Sequence, residues 1–218
     1  MRQTIIGNIQ EKRLIAIIRG LSAEQAVETA RALQRGGVAL MEVTFDQSRP
    51  ESFAQTARAI QAIDQMGVMV GAGTVVSTEQ AELAAASGAK YIISPNMDGC
   101  VIKKTRELGL VSIPGAMTPT EILQAAEAGA DFVKLFPAGN LGTGYVKSLL
   151  GGPLKHVKLM AVGGVGLHNM ADFLKAGICG FGIGGSLVNR DWVIEKQFEK
   201  ITELALRYAA AALGKEDA

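Results

Sequence analysis

The chain is poor in several residue types, and each shortage removes a class of explanation. Its 218 residues include only two cysteines, Cys100 and Cys179, in unrelated local contexts. Two such thiols make no disulfide framework, and a reducing cytoplasm is the expected compartment. Histidine is equally scarce. His156 sits in a polar turn and His168 near a helix start, and neither is spaced from a carboxylate or thiol as a metal ligand would be. Both read as surface residues. The N-terminal stretch lacks the basic-then-apolar pattern of a secretion signal. The longest apolar run near it, Leu14 to Ile18, is too short to cross a bilayer. Charge of neither sign dominates, since 22 basic and 21 acidic residues leave a formal net charge of +1. Nucleic acid and membrane surfaces are therefore not the expected partners.

What is present is glycine, 26 residues of it, in a chain that is 48% hydrophobic and 20% charged. That balance and length suit one compact domain spanning residues 1–218, able to bury a core without disulfides. Short β-branched runs alternate with Ala-rich stretches and give eight candidate strands. They are Leu14–Arg19, Ala39–Thr44, Val68–Gly71, Tyr91–Ser94, Leu110–Ile113, Phe132–Phe136, Val157–Val162 and Cys179–Gly184. Gly37, Gly67, Gly88, Gly109, Gly129 and Gly177 each precede a strand, as the left-handed residue that ends a helix would. Ser22, Ser77 and Thr118-Pro119-Thr120-Glu121 mark helix starts. The strands are continuously apolar, which fits a parallel sheet covered by helices. Eight such units predict an α/β chain folded as a (β/α)8 TIM barrel, with a doubly wound open sheet as the alternative. A helix over residues 1–11 is expected to close the bottom of the barrel, and one long helix to run from about Asp191 to Leu213.

In a parallel barrel, active sites form at the C-terminal ends of the strands. Most charges fall elsewhere: Lys90 and Lys158 begin strands, and helices carry nearly all the others. Three remain, namely Arg19 ending the first strand, Glu42 inside the second and Lys134 inside the sixth. Lys134 lies in Asp131-Phe132-Val133-Lys134-Leu135-Phe136-Pro137, where strand periodicity puts Phe132, Lys134 and Phe136 on one face. Apolar surroundings disfavour an ammonium, and a lysine that is neutral part of the time can attack a ketone to form an imine. A buried lysine held in an ion pair is the plain alternative. Glu42, in Met41-Glu42-Val43-Thr44, has the placement of a general acid/base for such chemistry, or of a mere counter-charge to Lys134 or Arg19.

Two further patterns suggest anion binding. Gly71-Ala72-Gly73-Thr74 ends the third strand and could hold a carboxylate with backbone N–H groups and a hydroxyl. Gly163-Gly164 and Gly184-Gly185-Ser186 follow the last two strands, where barrels often bind phosphate.

Taken in order, these stretches resemble the 2-keto-3-deoxy-6-phosphogluconate / 4-hydroxy-2-oxoglutarate aldolase family over nearly the whole chain. The matching segments are Ile15-Ala16-Ile17-Ile18-Arg19, Gly36-Gly37 through Glu42-Val43-Thr44, Gly71-Ala72-Gly73-Thr74-Val75 and Ile93-Ser94-Pro95. They continue with Ile113-Pro114-Gly115, Val133-Lys134-Leu135-Phe136-Pro137-Ala138, Gly163-Gly164-Val165 and Gly184-Gly185-Ser186. The resemblance implies a class I lyase, usually a homotrimer, that needs no metal or cofactor. Such an enzyme cleaves a 4-hydroxy-2-oxo acid to pyruvate and an aldehyde, either glyceraldehyde 3-phosphate or glyoxylate, as in Entner–Doudoroff carbohydrate metabolism. It implies Lys134 as the imine lysine and Glu42 as the general acid/base. Thr74 would hold the pyruvate carboxylate, and Pro95 and Phe136 would wall the pyruvyl portion. Gly163, Gly164, Gly184, Gly185 and Ser186 would face the phosphate-bearing end.

One departure stands out. The family's phosphogluconate-type members read Glu-Val-Thr-x-Arg-Thr, whereas this chain reads Glu42-Val43-Thr44-Phe45-Asp46-Gln47. Arg49 could reach back in place of that arginine, or Arg19 could serve alone. The segments Ile18-Arg19-Gly20 and Pro95-Asn96 also resemble phosphogalactonate aldolases, so the preferred sugar acid stays open. Rival readings are a phosphosugar isomerase or epimerase, a metal-dependent aldolase, and a barrel that binds phosphosugars without catalysis. The first has no need of Lys134, the second lacks a visible ligand cluster, and the third would tolerate loss of Lys134 or Glu42.

Overall fold

The computed structural model describes residues 1–215, so the last three residues of the expected domain, 216–218, lie outside the described residues. After helix α1 (Arg2–Lys12) the chain alternates strand and helix. The first half contains β1 (Leu14–Ile18), α2 (Ala23–Arg35), β2 (Leu40–Thr44), α3 (Phe53–Asp64), β3 (Met69–Gly73), α4 (Thr78–Ala86), β4 (Tyr91–Ile93) and α5 (Gly99–Glu107). The second contains β5 (Val111–Ile113), β6 (Gly115–Ala116), α6 (Pro119–Glu127), β7 (Val133–Leu135), α7 (Ala138–Leu150), β8 (Leu159–Val162), α8 (Met170–Lys175) and β9 (Gly180–Ile183). Helices α9 (Arg190–Ile194) and α10 (Phe198–Ala212) follow.

The expected boundaries have local causes. Ser22 and Thr118 form capping boxes with Gln25 and Glu121, and the Ser77 hydroxyl accepts the Gln80 N–H. All six of the predicted helix-ending glycines have positive φ, reaching 101° at Gly129 and 103° at Gly177, where a side chain would be strained.

The strands form one parallel sheet in the order β5-β4-β3-β2-β1-β9-β8-β7-β6. Its two ends are consecutive in sequence and meet across Pro114. The N–H groups of Phe132, Lys134 and Phe136 donate to the carbonyls of Ser112 (3.3 Å), Pro114 (2.8 Å) and Ala116 (3.1 Å), which closes the sheet into a barrel. The open-sheet alternative is thereby set aside. The expected fifth strand ends at Ile113 as β5, and a short further strand that was not expected, β6, follows Pro114, which has no N–H to offer a ladder. The third strand runs two residues further than expected, since Thr44 pairs with Gly73.

Two layers of apolar side chains hold the barrel. One lies between strands and helices. The other fills the lower interior with Ile15, Leu40, Tyr91, Ile93, Val111, Ile113, Phe132 and Met160, and α1 seals it with Ile5, Ile6 and Ile9. Asp131 fastens that seal: its carboxylate pairs with Arg2 and accepts the Ser112 N–H at 3.0 Å.

The long C-terminal helix expected from Asp191 to Leu213 is instead two helices, α9 and α10. Lys196 between them is left-handed, with φ of 56°, and the Gln197 N–H turns back to the Trp192 carbonyl at 2.7 Å. The break lets both Trp192 and Phe198 pack against the core. Because no glycine or proline marks it, local propensity carries no signal of it. Among the described residues, no helix is long and apolar enough to cross a membrane.

Candidate active site

Strand register builds the site from residues far apart in sequence. Along the inward face of β1, β2 and β7 the side chains change from apolar to charged within one period of the strand. Leu40 gives way to Glu42, Phe132 to Lys134, and Ile15 and Ile17 to Arg19. Glu42 pairs in register with Ile17 and Gly71, and Lys134 with Gly115. Glu42 and Lys134 are 2% and 5% exposed, and both line a small interior cavity with Ile15, Ile17, Ile93, Ile113, Met160, Val162 and Gly182.

The electrostatics follow from that burial. Desolvation pushes the Glu42 carboxyl up to about 7, against the opposing pull of Lys134 and Arg19. Desolvation also lowers the Lys134 ammonium, with Glu42 opposing and Arg19 adding to the shift. The charged atoms of Glu42 and Lys134 stay farther apart than the 4.0 Å of an ion pair. Neither residue is therefore consumed in neutralising the other by direct contact. Glu42 Oε2 is buried without a hydrogen-bond partner among the described residues. A group left in this state is costly to a fold and useful to a proton transfer. The Phe136 ring lies 4.8 Å from Lys134 Nζ and is 39% exposed, so it walls the lysine from solvent on one side.

Several glycines make room for this arrangement. A Cβ at Gly73 would stand 2.6 Å from Glu42 Oε1, and one at Gly182 would stand 2.9 Å from Val162 Cγ2. At Gly71 it would collide with the Tyr91 ring, whose hydroxyl donates 2.6 Å to the Met41 carbonyl and forms the floor beneath Glu42. The loop after β8 docks on the start of α7. There the Gly139 N–H donates 2.8 Å to the Gly163 carbonyl, and a Cβ on Gly139 would meet Gly164 O at 2.4 Å. This close approach places the Phe136 ring against Gly163.

Above the cavity lies a cleft of about 880 Å³, and Ile17, Val162 and Gly182 line both spaces. The cleft is bordered by Arg19, Phe136, Gly163, Gly164, Gly184, Gly185 and Ser186, as the sequence leads one to expect. It is also bordered by His168, Arg190 and Tyr208, and by no carboxylate among the described residues. His168, read from sequence as a plain surface residue, is exposed but stands on the rim of the cleft, carried there by the loop after β8.

Three expected residues stand apart from these linings. Pro95 is half-buried, its carbonyl packed under Gly115. Thr74 follows Gly73 in the turn beside Glu42, with φ of 56°. Arg49 is not brought to the site: its Nε donates 2.8 Å to Asp46, and it is largely exposed. Sequence reasoning missed Gly73 and Gly182 as space-makers, although glycine at period two inside a strand, as in Gly71-x-Gly73 and Gly180-x-Gly182, is a signal of close approach. It also missed Arg190, which no local pattern marks. Among the described residues, no three His, Cys, Asp or Glu side chains converge as a group that could hold a metal ion.

Comparison with known proteins gives this geometry relatives. A family model described as KDPG and KHG aldolase matches residues 5–204. The chain is 38% identical over 177 residues to a probable 2-dehydro-3-deoxy-6-phosphogalactonate aldolase of Rhizobium meliloti, covering 81% of this chain and 82% of that protein. It is 35% identical over 207 residues to a 2-dehydro-3-deoxy-phosphogluconate aldolase of Treponema pallidum, covering 93% and 94%. Among solved structures, the KDPG aldolase of Legionella pneumophila with pyruvate captured as a covalent carbinolamine superposes with a TM-score of 0.82. That match has 25% identity and covers 92% of this chain and 96% of that one.

Proposed function

This chain belongs to the KDPG and KHG aldolase family, and from that premise we propose that it cleaves a 4-hydroxy-2-oxo acid through an imine on Lys134. The observation that carries the reading is the pair itself. Buried lysine and buried glutamate share one cavity without forming an ion pair, and the cleft above them has no acid among its described lining residues.

The chemistry follows from the pKa directions. Burial favours the neutral Lys134 amine, whose lone pair adds to the C2 carbonyl of the substrate. Glu42, near 7, donates as readily as it accepts, so it hands a proton to the departing hydroxyl and water leaves to give the protonated imine. Glu42 then takes the C4 hydroxyl proton while the C3–C4 bonding pair moves toward the imine nitrogen. The aldehyde departs, Glu42 returns the proton to C3 of the enamine, and water hydrolyses the imine to pyruvate and free Lys134. An isomerase on the same barrel would have no use for the amine.

Thr74 and the adjacent backbone hold the substrate carboxylate, with Arg19 as the neighbouring cation, and Pro95 and Phe136 wall the pyruvyl group. The two Gly-Gly loops and Ser186, with Arg190 beside them, receive a phosphate at the far end. The basic, acid-free character of the cleft's described lining residues supports an anionic substrate. The chain works as one domain in the cytoplasm and as a homotrimer. Met117 and Leu123, exposed apolar side chains before and within α6, support self-association.

The decisive test is borohydride reduction in the presence of pyruvate, followed by peptide mass mapping. A secondary-amine adduct on the peptide carrying Lys134 is expected. No adduct, or one on another lysine, sinks the reading.

A further inference from the structure

The turn that follows β3 is held by side chains in a way the reaction scheme does not use. Thr74 is left-handed, with φ of 56°, a conformation that costs a β-branched residue on the order of 1–3 kcal/mol and persists only when neighbours enforce it. The enforcement is visible. The Thr74 carbonyl accepts a 2.6 Å hydrogen bond from Gln47 Nε2. Gln47 Oε1 in turn accepts from Gln80 Nε2 at 3.0 Å, and Gln80 Oε1 accepts the Val76 N–H at 2.8 Å. Gln80 is 3% exposed, and its own N–H donates to the Ser77 hydroxyl at the start of α4 at 3.3 Å. Two amides thus relay from the rigid start of a helix to one strained peptide.

The residues on either side of that peptide are fixed as well. The Gly73 carbonyl accepts the Phe45 N–H at 2.9 Å, and the Val75 N–H donates to the Ile93 carbonyl at 3.2 Å. Thr74 is the exception. Among the described residues its own N–H and hydroxyl have no protein partner, although its carbonyl is firmly held. These two donors sit one residue from Gly73, which packs against the Glu42 carboxylate. Meanwhile the nearest loop cation, Arg49, is bound to Asp46, whose carboxylate also accepts from the Ser48 hydroxyl at 2.6 Å.

We propose that Gln47 and Gln80 are positioning residues: their amide relay locks Thr74 in the left-handed conformation, so that its unpaired N–H and hydroxyl stand ready for the carboxylate of the 2-oxo acid. This rests on the imine reading above and deepens it. Recognition of the carboxylate is preset by neutral donors on a braced turn. Gln47, in the position where an arginine-bearing relative has threonine, contributes from outside the cavity and touches no substrate.

The test is the dependence of borohydride trapping on pyruvate concentration in full-length protein. Gln47→Leu removes both amide bonds at an exposed side chain of similar size. The half-saturating pyruvate concentration is expected to rise about five- to tenfold, the loss of one hydrogen bond's net contribution. The adduct yield at saturation and the pH midpoint of trapping should stay at the parent values, which separates positioning from general damage. The same substitution in a Thr74→Gly background should add less than about twofold, because glycine adopts the left-handed conformation unaided. A Gln47→Leu half-saturation within about twofold of the parent, an equal loss in both backgrounds, or a fall in saturating yield overturns the proposal. An absence of adduct in the parent overturns the imine reading itself, so the two failures are told apart.

Discussion

The lower and upper halves of the barrel interior are built from the same strands, two residues apart, and they behave as different solvents. Below, Ile15, Leu40 and Phe132 interlock with Tyr91, Ile93 and Met160 under the plug of α1, and the one hydroxyl among them, that of Tyr91, donates to the Met41 carbonyl. Above, the next inward positions of those strands are Ile17, Glu42 and Lys134, and the packing opens into a cavity and then a cleft. The lower half is close-packed and stabilises the fold. The upper half keeps two ionisable groups in a space dry enough to shift both, directly beneath a cleft of about 880 Å³. The contrast teaches that the apolar floor is part of the chemistry: it supplies the desolvation that pushes Glu42 up and Lys134 down.

Four changes would break or sharpen this contrast. Lys134→Met continues the lower layer upward, and it should abolish both cleavage and the borohydride adduct, a fall of at least about 10⁴ in kcat, while raising thermal stability. Glu42→Gln should lower kcat by about 10²–10⁴ and leave some trappable imine. The same variant checks the sign of the shift. A carboxyl held above its unfolded value binds its proton more tightly in the folded state. Stability is therefore lost as pH rises from about 4.5 to about 7. Denaturant titrations of the parent should show a fall on the order of 3 kcal/mol across that window, and Glu42→Gln should flatten it.

Phe132→Ala attacks the floor instead. It should cost about 3–5 kcal/mol of stability in denaturant melts. If the floor sets the desolvation, the pH midpoint of activity should also drift toward the ordinary carboxylate range. The smallest effect belongs to the cleft. Arg190→Ala should raise KM about tenfold for phosphorylated substrates and leave 4-hydroxy-2-oxoglutarate unaffected, as measured by coupled assay of pyruvate release. An equal effect on both substrates would remove Arg190 from the phosphate end.

Much of the fold was legible because its signals are local. Capping residues, helix-ending glycines and continuously apolar runs each act within a few residues, so the eight βα units could be placed in order. The exceptions are instructive. Beyond Pro114, which has no N–H for a ladder, a ninth short strand appears that was not expected, and the turn at Lys196 divides the last helix through packing of Trp192 and Phe198. Of the site, Lys134 and Glu42 were legible as charges in apolar strands. Gly182, His168 and Arg190 were not recognised, and Gly73 was read only as part of an anion-binding turn rather than as the room Glu42 needs, because their importance depends on what lies opposite them. Arg49, a reasonable candidate by distance along the chain, is captured by Asp46 three residues away.

The amino-acid sequence alone determined that this chain would alternate strand and helix, that the strands would be buried on both faces, and that one lysine and one glutamate would be carried into an apolar interior. Those outcomes follow from periodicity and desolvation, which need only neighbours in the chain. Tertiary structure decided that the two groups share a cavity without pairing, that a cleft bordered by Arg19, His168 and Arg190 opens over them, and that an amide relay braces Thr74. These depend on closure of the sheet and on register between strands as far as 167 residues apart, as where Ala16 on β1 pairs with Ile183 on β9. Contacts of that range are set by packing of the whole barrel, and no segment of the sequence encodes them by itself.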